Sequence, residues 1–427
     1  MSIEPFDLEQ EVQMKMNTMI TEFIEVYIRY SRRWRTLVLG SPVNADQHWA
    51  SFERLGAEDL PQLQNVHTSA GSMVFGRPDY EQGSRSLTPV GKLLTRTTSL
   101  QRLDVTREWI SVRMLDLPLE WSRLTELRIA SPVWRPSEPG RFDLGVFWQA
   151  LAEQCSSLVI FSFTNFMSYE LVQPLDAVSL TPVPWPTIQE FILSARGSSH
   201  ENFMDNVRDA FERISLPSVE RLSIGLYCDE LIRDPTAGDS DIPAAPWERL
   251  LLRSQPPIKH LELDFPRSQW GIRALLQSLK PLGALKSLRI GHERAWDMGY
   301  EELVRGLGEP FEGGLLCPGL EELELEECAT SDIEVMLMLA DCHTLMSHPS
   351  LKLIRANFAL GIEYDGSEWS SMQGKGGFDV SETQREVTLT RKLDGGATMI
   401  LTLGRPQVDI NFHDRPASGV PGIGYWY

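Results

Sequence analysis

One short pattern of apolar and polar residues recurs along most of this chain. Its cleanest copy is Cys317-Pro318-Gly319-Leu320-Glu321-Glu322-Leu323-Glu324-Leu325, an L-x-x-L-x-L run behind a proline turn. Alternation on an extended strand sends Leu323 and Leu325 to one side and Glu322, Glu324 and Glu326 to the other. Copies run from Trp34–Leu39 to Leu351–Ala356. Their central apolar residues are Leu37, Val66, Leu103, Leu127, Phe161, Phe191, Leu222, Leu261, Leu288, Leu323 and Ile354. The entry turn recurs at Leu60-Pro61, Trp185-Pro186, Leu216-Pro217, Cys317-Pro318 and His348-Pro349. Proline fits there, because it presets φ and a missing N–H costs little just before a strand.

Segments of helical period lie between these runs: Asp143–Glu153, Asn202–Ile214, Ser268–Lys280 and Ser331–Asp341. Strand, turn and helix in repetition predict an α/β chain built on a parallel sheet. Copies spaced by about 32 residues specify the leucine-rich-repeat form of it. The expected fold is a solenoid with a curved parallel sheet on its concave side and helices on its convex side. About eleven irregular repeats fill residues 34–360. Residues 1–33 form a helical N-terminal cap, because Asp7–Tyr30 carries apolar residues at helical spacing and an open repeat end needs covering. A partner-binding helix is the other reading of that segment. Residues 361–427 hold a Gly-rich linker and a C-terminal β-hairpin cap, Glu386–Leu393 and Ala397–Leu403 around Asp394-Gly395-Gly396, with Val408–Phe412 as a further strand. The terminal Tyr425-Trp426-Tyr427 either packs into that cap or forms a contact of its own. Ser69–Thr88, Pro132–Arg141, Gln173–Pro186 and Asp234–Pro246, rich in Pro, Gly, Ser and Asp, are expected to be surface loops.

Composition narrows the function. The chain has 427 residues, 42% of them hydrophobic and 23% charged, as in an ordinary soluble protein. No apolar run approaches the length of a membrane span, and the acidic start lacks the features of a secretory signal. Five irregularly spaced cysteines do not make a disulfide framework. A cytoplasmic or nuclear location follows. A net charge of −19 disfavours nucleic acid and anionic membranes, and suits a protein partner with a basic surface.

The motifs of catalysis are missing: G-x-S-x-G, H-E-x-x-H, the Walker loop and G-x-G-x-x-G do not occur. Cys328, Cys342, His343 and His348 lack paired C-x-x-C spacing, so neither metal nor cofactor is expected. The informative surface is the outward side of the strands. From the eighth strand onward it becomes strongly charged, through His260, Glu262, Asp264, Arg289, Glu322, Glu324, Glu326 and Arg355. An acidic ladder repels itself unless offset. Arg289 and Arg355, on the strands either side of the Glu322–Glu326 rung, stand where they can offset it. These eight residues form the candidate partner-binding site, competing with a simpler reading as a solvated, self-balanced face.

Ser31–Leu39 followed by Leu60-Pro61-Gln62-Leu63 resembles the opening of the repeat region in fungal F-box / leucine-rich-repeat proteins, notably those of mushroom-forming fungi. The resemblance covers residues 20 to 357. It implies a substrate-recognition solenoid of a cullin–RING ubiquitin ligase, without catalysis of its own. The F-box motif itself is not found, so contact with the ligase adaptor would require an F-box upstream of Met1. The alternative is a repeat scaffold, monomeric on its own and unconnected to ubiquitination.

Overall fold

The computed structural model describes residues 5–39, 50–68, 89–106, 115, 118–130, 144–168, 181–197, 207–228, 247–264, 272–291, 306–307, 310–311, 314–328, 348, 350–359, 379–382, 386–392 and 398–404. Their architecture is α/β, with few helices and one large, mostly parallel sheet. Eleven strands follow one another in chain order: β1 (Thr36–Leu39), β2 (Asn65–Thr68), β3 (Arg102–Thr106), β4 (Glu126–Ala130), β5 (Ile160–Ser168), β6 (Glu190–Gly197), β7 (Arg221–Cys228), β8 (His260–Asp264), β9 (Ser287–Gly291), β10 (Glu322–Cys328) and β11 (Leu353–Ala359). Each is parallel to the next.

The register is the one the sequence pattern implies. The central apolar residues align one to one, Leu37 on Val66, Val66 on Leu103, and so on to Leu323 on Ile354. A second device fixes it. The carbonyl just before a strand accepts two N–H groups from the next strand's entry: Arg35 takes Gln64 and Asn65, Gln64 takes Gln101 and Arg102, and the pair recurs at each step to Glu321. Register and apolar alternation agree over the opening residues of every strand, and only further along do the β5–β6 and β10–β11 pairs shift register, past Phe163 and Leu325.

One face of the sheet is sealed. All of the central residues are buried, Leu103 and Leu288 completely. Against them pack α3 (Leu144–Gln154), helical residues 207–212, α4 (Glu248–Ser254) and α5 (Ile272–Leu279), with the short α2 (Pro89–Thr95) and 3-10 turns covering the first strands. Where β5 and β6 carry phenylalanine instead of leucine, the core becomes aromatic. Phe161 lies 5.6 Å from Phe191 and 5.2 Å from Trp185, and Trp148 of α3 meets Phe191 edge-on at 5.4 Å. The rings pack against one another in tilted and edge-on contacts, as aromatic cores do.

The proline turns close as four-residue turns: the N–H of Leu63 donates to the Leu60 carbonyl and that of Leu320 to the Cys317 carbonyl, with proline second in each. Burial pushes the Cys317 and Cys155 thiols up to about 12, so both behave as small apolar groups.

The N-terminal segment is helical, α1 (Pro5–Ile28), and it packs beside the 3-10 turn Ala50–Arg54 that follows β1. Ile24 and Trp34 are buried, Tyr27 stacks on Trp34 at 4.7 Å, and Trp34 meets Phe52 at 6.0 Å. The hydrogen bond from Ser51 Oγ at 2.7 Å, and after it the ion pair with Arg54, hold the Glu25 carboxyl below the usual carboxylate range. No described helix is long and apolar enough to cross a membrane.

The expected C-terminal hairpin is present, as β13 (Glu386–Lys392) antiparallel to β14 (Thr398–Gly404), and it pairs with the last of the eleven strands, β14 running parallel to β11. Several other expectations need correction. A strand without an expectation, β12 (Asp379–Glu382), starts where the expected Gly-rich segment ends and runs antiparallel to β13 at the sheet's edge. Val183-Pro184, within the expected loop Gln173–Pro186, pairs parallel with Ile214-Ser215, which also ends the helix expected to reach Ile214. Helices α2 and α4 had no expectation: their seven residues are too few to show a period. Ser331–Asp341, Val408–Phe412, Tyr425–Tyr427 and the other three expected loops lie outside the described residues.

Candidate interaction face

Because one side of each strand is spent on the core, the other side of the whole sheet is a continuous surface. Its middle row runs Val38, His67, Asp104, Arg128, Ser162, Ile192, Ser223, Glu262, Arg289, Glu324, Arg355, each opposite the next in register. Apart from the buried Ser162, these side chains are half-exposed or exposed, and no described helix covers them. Neighbouring strands stand about 4.8 Å apart, so side chains in a row meet directly.

The row is divided by charge. At its C-terminal end Glu262, Arg289, Glu324 and Arg355 alternate in sign over three strand steps, about 14 Å. Arg289 on β9 holds two carboxylates: Nη1 donates to Glu262 at 2.7 Å, and Nε stands 4.0 Å from Glu324. Arg355 is exposed and faces Glu324 across the β10–β11 step. The row before it places His260 opposite Ser287 and Ser287 opposite Glu322. Both His260 and Glu322 are exposed, and Glu322 makes no ion pair among the described residues. In the row after it, Asp264 sits between Gly225 and Gly291. A Cβ at Gly291 would stand 3.1 Å from the Asp264 carboxyl carbon, so Gly291 leaves room for that carboxylate to lean toward β9. Glu326 continues β10 opposite Gly291, and its side chain lies outside the described residues. Seven of the eight candidate side chains are thus gathered on four adjacent strands.

The structure adds two groups that the sequence reading passed over. Glu321, one residue before β10, is held by Lys352 and by Lys286 at 3.5 Å, and the two ammonium groups, Lys352 first, lower its carboxyl pKa. Glu220, at the matching position before β7 three strands earlier, pairs with the single Lys259 at 2.8 Å. At the N-terminal end of the face, His67 Nδ1 lies 2.7 Å from Asp104 Oδ2. Beside them Glu126 sits between Arg128 at 2.5 Å and Arg102 at 3.3 Å. The His67–Asp104 and Arg102–Glu126 pairs join neighbouring strands and are revealed by the register, whereas Arg128 and Glu126 lie two residues apart on the same face of β4. Between the two ionic zones, Ser162, Ile192 and Ser223 make a neutral centre.

Exposed pairs of this kind contribute roughly 0.2–1 kcal/mol each. The ladder therefore does not hold the fold together, and its members can exchange partners at small cost. No group of three or more His, Cys, Asp or Glu side chains able to hold a metal occurs among the described residues. A scan against protein-family models and a search of curated proteins both returned no match to this chain.

Proposed function

We propose that this chain is a leucine-rich-repeat solenoid that acts without catalysis, binding another protein through the open face of its sheet. The observation that carries the reading is the charged ladder on β8–β11, presented on a broad face that no described helix covers. An uncovered, rigid, strand-built surface is what extended recognition uses, since its side chains stand at fixed spacing and need little ordering on binding. His260, Glu262, Asp264, Arg289, Glu322, Glu324, Glu326 and Arg355 are the contact residues in this reading. Carboxylates outnumber cations among them, so the partner offers a basic surface.

The resemblance to fungal F-box / leucine-rich-repeat proteins extends the proposal to substrate recognition for a ubiquitin ligase, in the cytoplasm or nucleus. That extension rests on the motifs Ser31–Leu39 and Leu60–Leu63 alone. Affinity purification of the tagged full chain separates the two levels. Recovery of a basic protein together with cullin and adaptor supports both. Recovery of a basic protein alone, repeatedly, removes the ligase and leaves a repeat scaffold.

A further inference from the structure

The outward row at the entry ends of the strands changes character halfway along the sheet. In its first half the side chains satisfy one another: Asn65 donates to Thr36 at 3.0 Å, and Arg102 stands 3.3 Å from Glu126, each bond joining neighbours in register. From β6 to β10 the row continues as Glu190, Arg221, His260, Ser287 and Glu322. Here the pairing stops. Glu190, Arg221, His260 and Glu322 make no ion pair or side-chain hydrogen bond among the described residues. Arg221, His260 and Glu322 are exposed, and Glu190 is half-exposed. The middle row beside them is closed by contrast, since Arg289 serves both Glu262 and Glu324. Groups left unpaired on a surface that pairs its other charges are the ones a partner has to match.

Their order and spacing say what the partner brings. A base is needed at Glu190, one acid across Arg221 and His260 together, and a second base at Glu322. Four strand steps separate Glu190 from Glu322, about 19 Å, and the midpoint of Arg221 and His260 lies about 7 Å from Glu190. An extended chain advances about 3.3 Å per residue and returns to the same face every second residue. Its residues i, i+2 and i+6 therefore share one face, at about 0, 6.6 and 20 Å. A helix covering 19 Å needs about 13 residues, and these end about 140° round its axis from where they began. The extended form presents all three charges to the row, and the helix does not.

Resting on the reading of the open face as a protein-binding surface, we propose that the row from Glu190 to Glu322 receives an extended segment of the partner, lying across the strands. Its charge pattern is Lys/Arg-x-Asp/Glu-x-x-x-Lys/Arg, or the same pattern reversed. Such a segment is net basic, as the acidic ladder beside it requires, and its single acid is what a uniformly basic segment lacks. Arg221 and Glu190 thereby join the contact residues, and Arg221 with His260 sets the specificity.

The test pans the full chain against a random library of displayed peptides, each of about 12 residues and so long enough to cross the row in extended form. The wild type should enrich the proposed pattern in one direction or the other. A synthetic peptide from that set should bind about tenfold more weakly by fluorescence anisotropy once its acid is replaced by Lys. Arg221→Glu with His260→Glu should invert that preference at an unchanged melting temperature. Arg221→Gln with His260→Gln, which adds no charge, should abolish it. Enrichment of uniformly basic peptides overturns this inference alone and leaves the ladder its basic partner. Binding that Glu322→Lys with Glu324→Lys leaves unchanged removes the underlying reading as well. The inference also falls if no peptide is enriched, if neither Arg221 variant moves the preference, or if the chain sediments as a dimer that Arg221→Glu disperses.

Discussion

Arg289 and His348 show how differently two charged or chargeable side chains enter this protein. Arg289 lies on the open face and balances Glu262 and Glu324 in water, where such pairing is weak and reversible. His348 is buried at the turn into β11, at 5% exposure, with no hydrogen-bond partner for either ring nitrogen among the described residues. Burial lowers its pKa below 6.5, while weaker polar contacts to the backbone of Leu316 and Cys317 act the other way. The folded state therefore keeps the ring neutral where the unfolded chain would protonate it. Its contribution is intact above about pH 6.5 and is lost as pH falls below that, because the unfolded state then binds more protons. Urea midpoints at pH 7 and pH 5 should show the wild type losing stability, and His348→Leu losing less. Equal losses in both would mean that the ring is not held neutral by its site. The entry-turn series places His348 where Leu60, Trp185, Leu216 and Cys317 stand in the other copies, and all five are buried, although a histidine before proline by itself reads as ordinary turn chemistry. Its burial comes from the strand stacking beneath it.

At the scale of the element, the strands were legible and the helices only in part. A strand here needs only three apolar positions in alternation, and the frame recurs often enough for each copy to confirm the rest. The helices vary in length and composition from one connection to the next. Helix α3 has a clear period over eleven residues, whereas α2 and α4 have seven each. The hairpin's two strands were legible from Asp394-Gly395-Gly396. Which of them would join the sheet was not, because both alternate equally well, and only the edge left open by β11 selects β14. Core and face should separate cleanly on mutation. Phe161→Ala removes a ring fully buried between Trp185 and Phe191 and should cost about 3–5 kcal/mol. Arg289→Met leaves Glu262 and Glu324 two strands apart, beyond a Debye length at physiological salt, and should cost less than about 1 kcal/mol. Paired denaturation curves check this. A larger loss for Arg289→Met than for Phe161→Ala would mean that the ladder is structural.

Over the whole molecule, the sheet puts its two faces to different uses. The buried face is repetitive, because every strand must match its neighbours, and that repetition made the parallel order and register readable from the sequence. The open face is free of the constraint, so its chemistry changes along the sheet from paired His67–Asp104, through a neutral centre, to the acidic ladder. The outward position of the candidate residues was legible from alternation. Which acids are already neutralised was not, since Glu321's lysines come from Lys286 and Lys352, each some thirty residues away along the chain. The central claim is that the β8–β11 face meets a basic protein partner. It is tested most directly by the dissociation constant of a recovered partner for the wild type and for Glu322→Lys with Glu324→Lys, across a salt series. Reversal at two desolvated contacts should weaken binding by about a hundredfold or more and flatten its dependence on salt, with the melting temperature unchanged. Unchanged affinity for every recovered partner would contradict the claim and leave the ladder as a solvated, self-balanced surface.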